Sequence, residues 1–315
     1  MLKDLLETGK CFKLVCGAGN EDVEEIRRLI YLYAVGGCKF FDLSANVDVV
    51  DAAKEVLNKA GVEDAYLCVS VGIKSDPHLN KAVIDYNRWV NCGSCETVCP
   101  QGAIHYAKVK KSKCIGCGRC WKVCQRSAIS YVPEEKKLDE VLPAIIEKGI
   151  DCLEFHVIGQ DETEIFTKWR YINDNFDGLL SICTCRNRLG DEDLVERIRQ
   201  MIDNRTPYST IVQADGFPMS GGDDNYKSTL QAVATAEIVQ NANLPVYIML
   251  SGGTNGKTTE LAKMCDINYN GVAIGSYARK IVRRYVERPD FWENPRVAID
   301  ALEIIKPLVN SVINK

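Results

Sequence analysis

A chain of 315 residues that is 46% hydrophobic and 26% charged has the composition of a globular protein. That length suits two ordinary domains, or one large domain with an insertion. The net charge of −4 argues against nucleic-acid partners, and no apolar run reaches the roughly 18 residues that a membrane span needs. The amino-terminal residues MLKDLLETGK lack the apolar core of a signal peptide, so we expect a cytoplasmic protein.

Short apolar segments alternate with amphipathic helical stretches along most of the chain. The predicted strands are residues 12–16, 39–43, 66–72, 152–158, 179–184, 210–214, 246–250 and 271–275. Helical periodicity fills the intervals, as in EDVEEIRRLIYLYAVGG and LDEVLPAIIEKG. Strands and helices in this alternation predict an α/β fold, a (β/α)₈ barrel, with a doubly wound open sheet as the alternative.

The alternation breaks once, between the third predicted strand and a helix at residues 138–148. We predict that residues 76–135 form a small domain inserted into the barrel. Residues 1–75 would then form the first part of the barrel and residues 136–315 the remainder. Because loops after barrel strands open on the C-terminal face, where active sites are built, the insert would lie over any substrate pocket.

The insert is rich in cysteine, with seven of the fifteen cysteines lying between Cys92 and Cys124. Two segments repeat at a spacing of 25 residues: CETVCPQGAIHY begins at Cys95 and CWKVCQRSAISY begins at Cys120. The second half is a complete C-x₂-C-x₂-C-x₃-C run. In the first half, Trp89 stands where the opening cysteine would be.

This spacing is typical of bacterial ferredoxins, in which the fourth cysteine of each run binds the other cluster. It therefore predicts a ferredoxin-like α+β insert with one complete [4Fe–4S] cluster, whose ligands are Cys99, Cys114, Cys117 and Cys120. Zinc is the alternative for thiolates in C-x₂-C pairs. The interleaved duplication favours an iron–sulfur cluster over zinc.

A second site has only three cysteines, which are Cys92, Cys95 and Cys124. The indole of Trp89 has no acceptor with which to bind iron. The site is therefore a [3Fe–4S] cluster, a cubane with one exchangeable iron, a cluster with a ligand from elsewhere in the chain, or empty. Candidate outside ligands lie near the C-terminal ends of predicted strands; they are Cys16, Cys183 and Cys185.

Basic residues dominate the segment from Thr97 to Pro133, which contains no Asp or Glu. They are Lys108, Lys110, Lys111, Lys113, Arg119, Lys122 and Arg126. Because thiolate-bound clusters are anionic, these cations would balance the clusters' charge. The same patch at residues 108–126 would also suit an acidic electron carrier as a partner.

Glycine-rich loops follow the last two predicted strands. In a barrel these loops form the usual phosphate site, because glycines let backbone N–H groups approach an anion. We expect phosphate, FMN or another small anionic ligand there; the candidates are Gly252, Gly253, Thr254, Lys257, Gly275, Ser276 and Arg279. Tight turns alone would also account for the glycines.

Residues 253–259 read GTNGKTT, which resembles the phosphate loop of Mur-type ATP-dependent ligases. A general phosphate loop has Gly where this chain has Ser251. An ATP-dependent enzyme is therefore a further, weaker alternative.

Polar side chains also occur at the ends of predicted strands, where they would bind substrate or move protons. The catalytic candidates are Asp42, His156 and Asp215, with Glu154 and Gln213 on the same strands. Buried polar residues that merely fill barrel layers are the structural alternative.

Three groups of residues resemble one known family. FKLVCGAGN (12–20), QADGFPMSG (213–221) and SGGTNGKTTELA (251–262) with GVAIGSYARK (271–280) are similar to the LdpA-like iron–sulfur proteins, named for a cyanobacterial regulator of light-dependent period. The resemblance spans most of the chain. It implies a redox-active protein that, in cyanobacteria, reports cellular redox state to the circadian clock. Because Trp89 stands in place of a cysteine, the chain lacks one of the eight cysteine ligands of a full two-cluster protein.

The leading hypothesis is therefore an iron–sulfur redox protein that transfers or senses electrons, with an anion-binding barrel mouth. The alternative is a flavin- or cluster-dependent oxidoreductase that acts on a small substrate in the barrel.

Overall fold

A computed structural model describes residues 1–74, 76, 80–134, 137–187, 189–217 and 223–314. In chain order its elements are α1 (Leu2–Glu7), β1 (Cys11–Val15), α2 (Val23–Val35), β2 (Phe40–Ser44), α3 (Val47–Ala60), β3 (Tyr66–Gly72), β4 (Asn80–Ile84), α4 (Ser94–Thr97), β5 (Ile104–His105), β6 (Lys108–Val109), α5 (Arg119–Val123), β7 (Ile129–Pro133), α6 (Leu138–Glu147), β8 (Cys152–His156), α7 (Glu162–Asn175), β9 (Leu179–Cys185), α8 (Asp191–Ile202), β10 (Thr210–Asp215), α9 (Tyr226–Asn241), β11 (Tyr247–Ser251), α10 (Thr258–Met264), β12 (Gly271–Ile274), α11 (Ser276–Val286) and α12 (Pro295–Ile313).

Eight parallel strands close into a barrel in the order β1-β12-β11-β10-β9-β8-β3-β2. Closure is visible at β1, where Leu14 pairs with Ile274 on one side and with Phe41 on the other. The predicted (β/α)₈ barrel is confirmed, and the open-sheet alternative is wrong because that sheet would leave two unpaired edges. Each predicted strand overlaps an observed one, with ends that agree within two residues.

Amphipathic helices cover the outside of the barrel. In α2 the Asp22 side chain accepts a hydrogen bond from the Glu25 N–H at 3.0 Å and so caps the helix. The helix then buries Ile26, Leu29 and Ile30 against the outward-facing side chains of the strands. Each such side chain contributes about 1.5–3 kcal/mol by leaving water, which holds the helix against the barrel.

The two ends of the barrel interior differ in polarity. At the N-terminal end, Leu2 and Leu6 of α1 pack with Cys11, Phe40 and Cys152 into an apolar plug. Above the plug, the inward-facing side chains of the strands are polar and buried; they are Lys13, Asp42, Ser70, Glu154, Ser181 and Gln213. The plug closes the bottom, so the polar groups are reached from the C-terminal end.

The chain between β3 and α6 forms the insert. It contains the antiparallel pair β4–β7, the antiparallel pair β5–β6 and the short helices α4 and α5. Its predicted limits, residues 76–135, stay a prediction, since Ser75, Glu135 and Lys136 lie outside the described residues.

None of the helices in the described part of the chain is long and apolar enough to cross a lipid bilayer.

Candidate functional site

Four thiols of the insert converge on one small cavity. Cys99, Cys114, Cys117 and Cys120 line it together with Tyr131. The Cys114 sulfur accepts a hydrogen bond from the Ala82 N–H at 3.4 Å, and the Tyr131 hydroxyl lies 3.2 Å from the Cys120 sulfur. Donors aimed at the sulfurs stabilise thiolates and tune an iron–sulfur cluster, so these residues fit the cluster predicted for them.

The backbone of the insert repeats with the same 25-residue spacing as its sequence. Gly93 and Gly118, with φ of 73° and 78°, each precede a short helix. The Ala103 N–H donates to the Cys99 sulfur at 3.2 Å, and the Ala128 N–H donates to the Cys124 sulfur at 3.3 Å. Two further left-handed pairs are Asn91 with Gly116 and Gly102 with Ser127. The halves are thus two copies of one thiolate-binding turn.

The three-cysteine site lies closer to solvent. Cys92 is exposed, Cys124 is half-buried and Cys95 is buried. Trp89 packs, half-buried, in the same apolar cluster as Cys95 and Cys124. The indole thus packs among the cysteines of the insert, and it occupies the sequence position at which the other half has Cys114.

Burial acts on thiols of both sites. Desolvation raises the pKa of Cys117 and Cys120, and also that of Cys95. Hydrogen bonding with Ser94, whose hydroxyl lies 3.5 Å from the sulfur, lowers the pKa of exposed Cys92. Exposed Cys92 and buried Cys117 therefore differ in how readily they ionise in the absence of a metal.

The proposed outside ligands have barrel neighbours of their own. Desolvation raises the pKa of buried Cys16. The nearby Asp42 carboxylate raises this pKa further, and the Arg279 guanidinium lowers it. The Cys183 thiol donates to an Asp215 carboxylate oxygen at 3.0 Å inside the barrel. Cys185, two residues further along β9, is buried. Cys183 lines the barrel cavity, whereas the three-cysteine site lies on the insert.

Several polar contacts hold the insert to the barrel. The buried Lys81 ammonium donates to the carbonyl oxygens of Gly19 at 2.7 Å and Cys114 at 2.8 Å. The Glu21 N–H donates to the Ser112 carbonyl at 2.6 Å. The loop after β1 therefore contacts the insert beside Cys114, one of the four converging thiols.

Part of the basic segment is used in this docking. Lys110 pairs with Asp22, and Lys113 lies 3.1 Å from a carboxylate oxygen of Glu25. Lys111 pairs with Glu134 within the insert at 2.5 Å. Lys108, Lys122 and Arg126 are exposed, and Arg119 is half-buried.

A cavity of about 290 Å³ opens at the C-terminal end of the barrel beneath the insert. The candidates Asp42, His156, Asp215, Gly252, Gly253, Thr254, Gly275, Ser276 and Arg279 all line it. Insert residues Ile115, Gly116, Cys117 and Lys122 complete its wall. Cys117 thus belongs both to the converging thiols and to the barrel cavity.

The loops after β11 and β12 shape one side of this cavity. Gly252 has a φ of 63°, and a Cβ there would lie 2.7 Å from the Gly216 nitrogen, so only glycine fits. Arg279, 8% exposed, donates to the Val15 carbonyl at 2.6 Å. Its Nε is buried without a hydrogen-bond partner in the described structure. A buried guanidinium with donor capacity left suits an oxyanion.

Lys257 is the anion-site candidate that lies away from the cavity. Its ammonium is 3.4 Å from Glu260 and 5.8 Å from the centre of the Tyr226 ring. Thr258 is fully buried, and its hydroxyl accepts from the Asn255 N–H at 2.8 Å. In GTNGKTT, the side chains of Lys257 and Thr258 contact neighbouring residues of the protein. In a phosphate loop the equivalent side chains face the nucleotide.

The catalytic candidates meet in one buried polar network. Lys13 donates to Glu154 Oε2 at 2.5 Å, and His156 Nε2 lies 3.1 Å from Glu154 Oε1. His156 Nδ1 lies 2.7 Å from an Asp76 oxygen. Burial disfavours the imidazolium, but Cys183 and Asp76 outweigh it and raise the pKa of His156. Desolvation raises the pKa of Asp215 to about 6.

Three residues of these sites were not among the candidates predicted from the sequence. Lys13 interrupts the apolar run FKLVC, and a lysine in the middle of a buried strand was the available signal. Asp76 and Lys81 lie at the start of the insert, where neither periodicity nor a motif marks them. Of the segment QADGFPMSG, residues 218–221 lie outside the described residues.

Comparison with known proteins gives the family. The Light dependent period A C-terminal domain matches residues 144–311, and the LdpA Fe-S cluster-binding domain matches residues 90–134. Light dependent period A from Synechococcus elongatus is 29% identical over 304 residues, covering 90% of this chain and 84% of that protein.

Among solved structures, the YdjI aldolase from Escherichia coli K12 superposes with a TM-score of 0.51 at 8% identity, covering 100% of this chain and 94% of the aldolase. At that identity the similarity supports the barrel fold alone. The C-terminal domain match spans more than half of the chain, and the cluster-binding match contains the seven clustered cysteines. The chain is therefore an iron–sulfur protein of the light dependent period A family.

Proposed function

We propose that this chain is a redox protein in which a [4Fe–4S] cluster on Cys99, Cys114, Cys117 and Cys120 is coupled to a small anionic ligand in the barrel mouth. The observation that carries the proposal is the position of Cys117, which lines both the thiol cavity and the barrel cavity. A cluster held by these thiolates supplies one electron at a time, at a potential that depends on nearby charge.

The barrel residues bind and orient the ligand. The Arg279 guanidinium provides the positive charge, while the backbone around Gly252 and Gly253 allows close approach. Ser276 begins α11, whose N-terminal N–H groups attract an anion. Lys122 adds a second cation from the insert side of the cavity.

The size of the cavity favours a small ligand over a flavin. At about 290 Å³ it lies at the lower limit of the ~300–1,000 Å³ typical of pockets for drug-sized molecules. A phosphate or a short carboxylate fits that volume more readily than FMN does.

A cluster-dependent oxidoreductase is the second candidate, and one observation favours it. Asp215 lines the same cavity as Cys117, and burial raises its pKa to about 6. A carboxyl group with that pKa exchanges protons near neutral pH, as the reduction of a bound substrate would require.

We also propose that an acidic electron carrier docks on the exposed part of the basic patch. Lys110, Lys111 and Lys113 pair with carboxylates and Lys122 lines the barrel cavity. Half-buried Arg119 and exposed Lys108 and Arg126 remain. A carrier bound there would approach the insert from solvent rather than through the barrel.

The main test measures whether the cluster responds to an anion. Anaerobically purified protein is analysed for iron and acid-labile sulfide, and its midpoint potential is measured by EPR titration with and without saturating phosphate or oxalate. We expect the bound anion to lower the potential, because negative charge beside the cluster disfavours reduction. Arg279→Gln should lose this shift.

Arg284→Gln is the matched control, since Arg284 lies exposed on the same helix. It should retain the wild-type shift. Protein that binds the anion tightly without any change in cluster potential or EPR spectrum would refute the coupling. Iron without a yellow cofactor would separate the proposed function from a flavoenzyme.

A further inference from the structure

We propose that the barrel mouth contains a mononuclear site for a divalent transition metal, best suited to Zn²⁺, formed by Glu154, His156 and Cys183. One ligand atom from each residue lies within 4.8 Å of the others, and all three residues are buried. Carboxylate, imidazole and thiolate are the three side-chain types that bind zinc. This site is distinct from the iron–sulfur thiols and does not depend on the redox function proposed above.

Barrel geometry brings the three ligands together. Glu154 and His156 are two residues apart on β8, so their side chains share the inner face of the strand. His156 and Cys183 are register partners on the adjacent strands β8 and β9. The ligands therefore come from neighbouring rigid strands, as a preorganised metal site requires.

Neighbouring residues orient two of these ligands. Asp76 holds His156 Nδ1 at 2.7 Å, which leaves Nε2 directed toward Glu154 Oε1. Carboxylate–histidine pairs of this kind fix the ring orientation in metal sites. On the other side, Glu154 Oε2 accepts from Lys13 at 2.5 Å and from Ser181 at 3.2 Å. Glu154 Oε1 accepts from Gln213 Nε2 at 2.9 Å, so a metal bound at Oε1 would replace one of the present contacts of that oxygen.

Asp215 provides an independent indication of a cation. One of its oxygens accepts from the Cys183 thiol at 3.0 Å. The other, Oδ1, is buried and makes no well-formed hydrogen bond in the described structure, although the Ser251 side chain lies close enough to lower the pKa of the carboxyl group. Both side chains line the cavity, where a metal ion or its bound water would complete the contacts of Oδ1.

The charges around the site are compatible with a bound dication. The buried carboxylates among the described residues here are Asp42, Asp76, Glu154 and Asp215. The cations are Lys13, Arg279 at the rim and, while it is protonated between Asp76 and Glu154, His156. Because a metal-bound imidazole is neutral, a dication here would take the place of the imidazolium charge among these acids.

A deeper group of ligands, formed by Asp42, Cys68 and Glu154, has similar spacing. There the Lys13 ammonium lies 3.9 Å from Asp42 and 2.5 Å from the shared Glu154, so two of the three ligands of that group already contact a cation. All three ligands of the upper group line the cavity, whereas Cys68 of the deeper group is not among its lining residues. Three protein ligands with an open position are typical of catalytic zinc.

A metal at this position would act on a small oxyanion or carbonyl compound. The ligand's oxygen would bind the metal, while its negative charge would face Arg279 across the cavity. A Lewis acid so placed polarises a carbonyl or lowers the pKa of a bound water.

The test uses full-length protein, purified anaerobically, treated with a chelator and titrated with Zn²⁺. Zinc K-edge X-ray absorption observes zinc separately from the cluster's iron. We expect one zinc per chain, with a single sulfur at ~2.3 Å and nitrogen or oxygen at ~2.0–2.1 Å. Cys183→Ser should remove the sulfur contribution and weaken binding. Asp76→Asn should weaken zinc binding by about 10–100-fold and leave the sulfur in place.

Cys38→Ser is the matched control, because Cys38 is an equally buried barrel thiol outside the site; its zinc binding should equal that of the wild type. Three results would overturn the proposal: no zinc bound by the wild type, a sulfur contribution that survives in Cys183→Ser, or a sulfur-only shell that disappears in Cys92→Ser. The last would place zinc in the three-cysteine site. Iron and sulfide counts on the same samples report separately on the proposed redox function.

Discussion

The two halves of the insert have nearly the same backbone and different surroundings. Gly93 and Gly118 turn the chain in the same way, and Cys99 and Cys124 accept equivalent N–H···S bonds. Yet Cys117 faces the barrel cavity, whereas its repeat partner Cys92 faces solvent. Cys114 supplies a thiol in one half, and its repeat partner in the other half is Trp89, which carries an indole.

The two copies of the duplicated motif thus lie in different surroundings. The four converging thiols lie against the barrel, where Lys81 fixes the Cys114 carbonyl. The three-cysteine site lies on the outer face, where access is easier and the donor set is incomplete. The four converging thiols are thus the inner site, beside the barrel cavity, and the three cysteines are the outer site, nearer solvent.

The largest effect should come from removing an inner thiol. Cys117→Ser should abolish the complete cluster, since a serine oxygen is a poor substitute for the soft thiolate, whereas Cys92→Ser should leave it intact. Iron and sulfide counts with EPR measure both variants, and Cys38→Ser controls for loss of a buried thiol. Equal iron loss from Cys92→Ser and Cys117→Ser would contradict the assignment of ligands.

Restoring the missing cysteine should change the outer site next. Trp89→Cys places a thiol at the repeat position of Cys114, so a three-iron or open-site EPR spectrum should become that of a four-iron cluster. Trp121→Cys is the control, because Trp121 is an exposed tryptophan of the same insert. An unchanged spectrum in Trp89→Cys would mean that another residue already supplies the ligand or that the site is empty.

Loosening the contact between insert and barrel should have a moderate effect. Lys81→Met leaves the buried carbonyls of Gly19 and Cys114 without their lysine donor, at a cost of about 1–3 kcal/mol. Amide hydrogen exchange at Glu21, whose N–H bonds to Ser112 across the contact, should accelerate. Exposed Lys108 gives the control Lys108→Met. Unchanged exchange at Glu21 would show that other contacts carry the docking.

The smallest effect concerns thiol reactivity in protein stripped of clusters. Ser94 lowers the pKa of Cys92, while burial raises that of Cys117. A lower pKa gives more thiolate at neutral pH, so iodoacetamide should modify Cys92 faster, as measured by peptide mass spectrometry. Ser94→Ala should slow the modification of Cys92 alone. Equal modification rates for Cys92 and Cys117 would argue against different environments for these two thiols.

Local patterns in the sequence determined most of the fold and the thiol chemistry. Alternating strands and helices gave the barrel, because each element must bury one apolar face whatever its partners are. The 25-residue repeat identified the cysteine unit, since ligand spacing is set by the size of a cluster. The glycine loops at Gly252 and Gly275 also marked the cavity, because close backbone approach needs residues without a Cβ.

Only the tertiary structure decided which of these features meet. It placed Cys117 in the wall of the barrel cavity, turned Lys257 away from it and paired His156 with Asp76, which is 80 residues distant in sequence. It also joined Lys13 to Glu154 and grouped Glu154 with His156 and Cys183. Such contacts depend on strand register and on the docking of the insert. Both are set by long-range packing, which leaves no local pattern in the sequence.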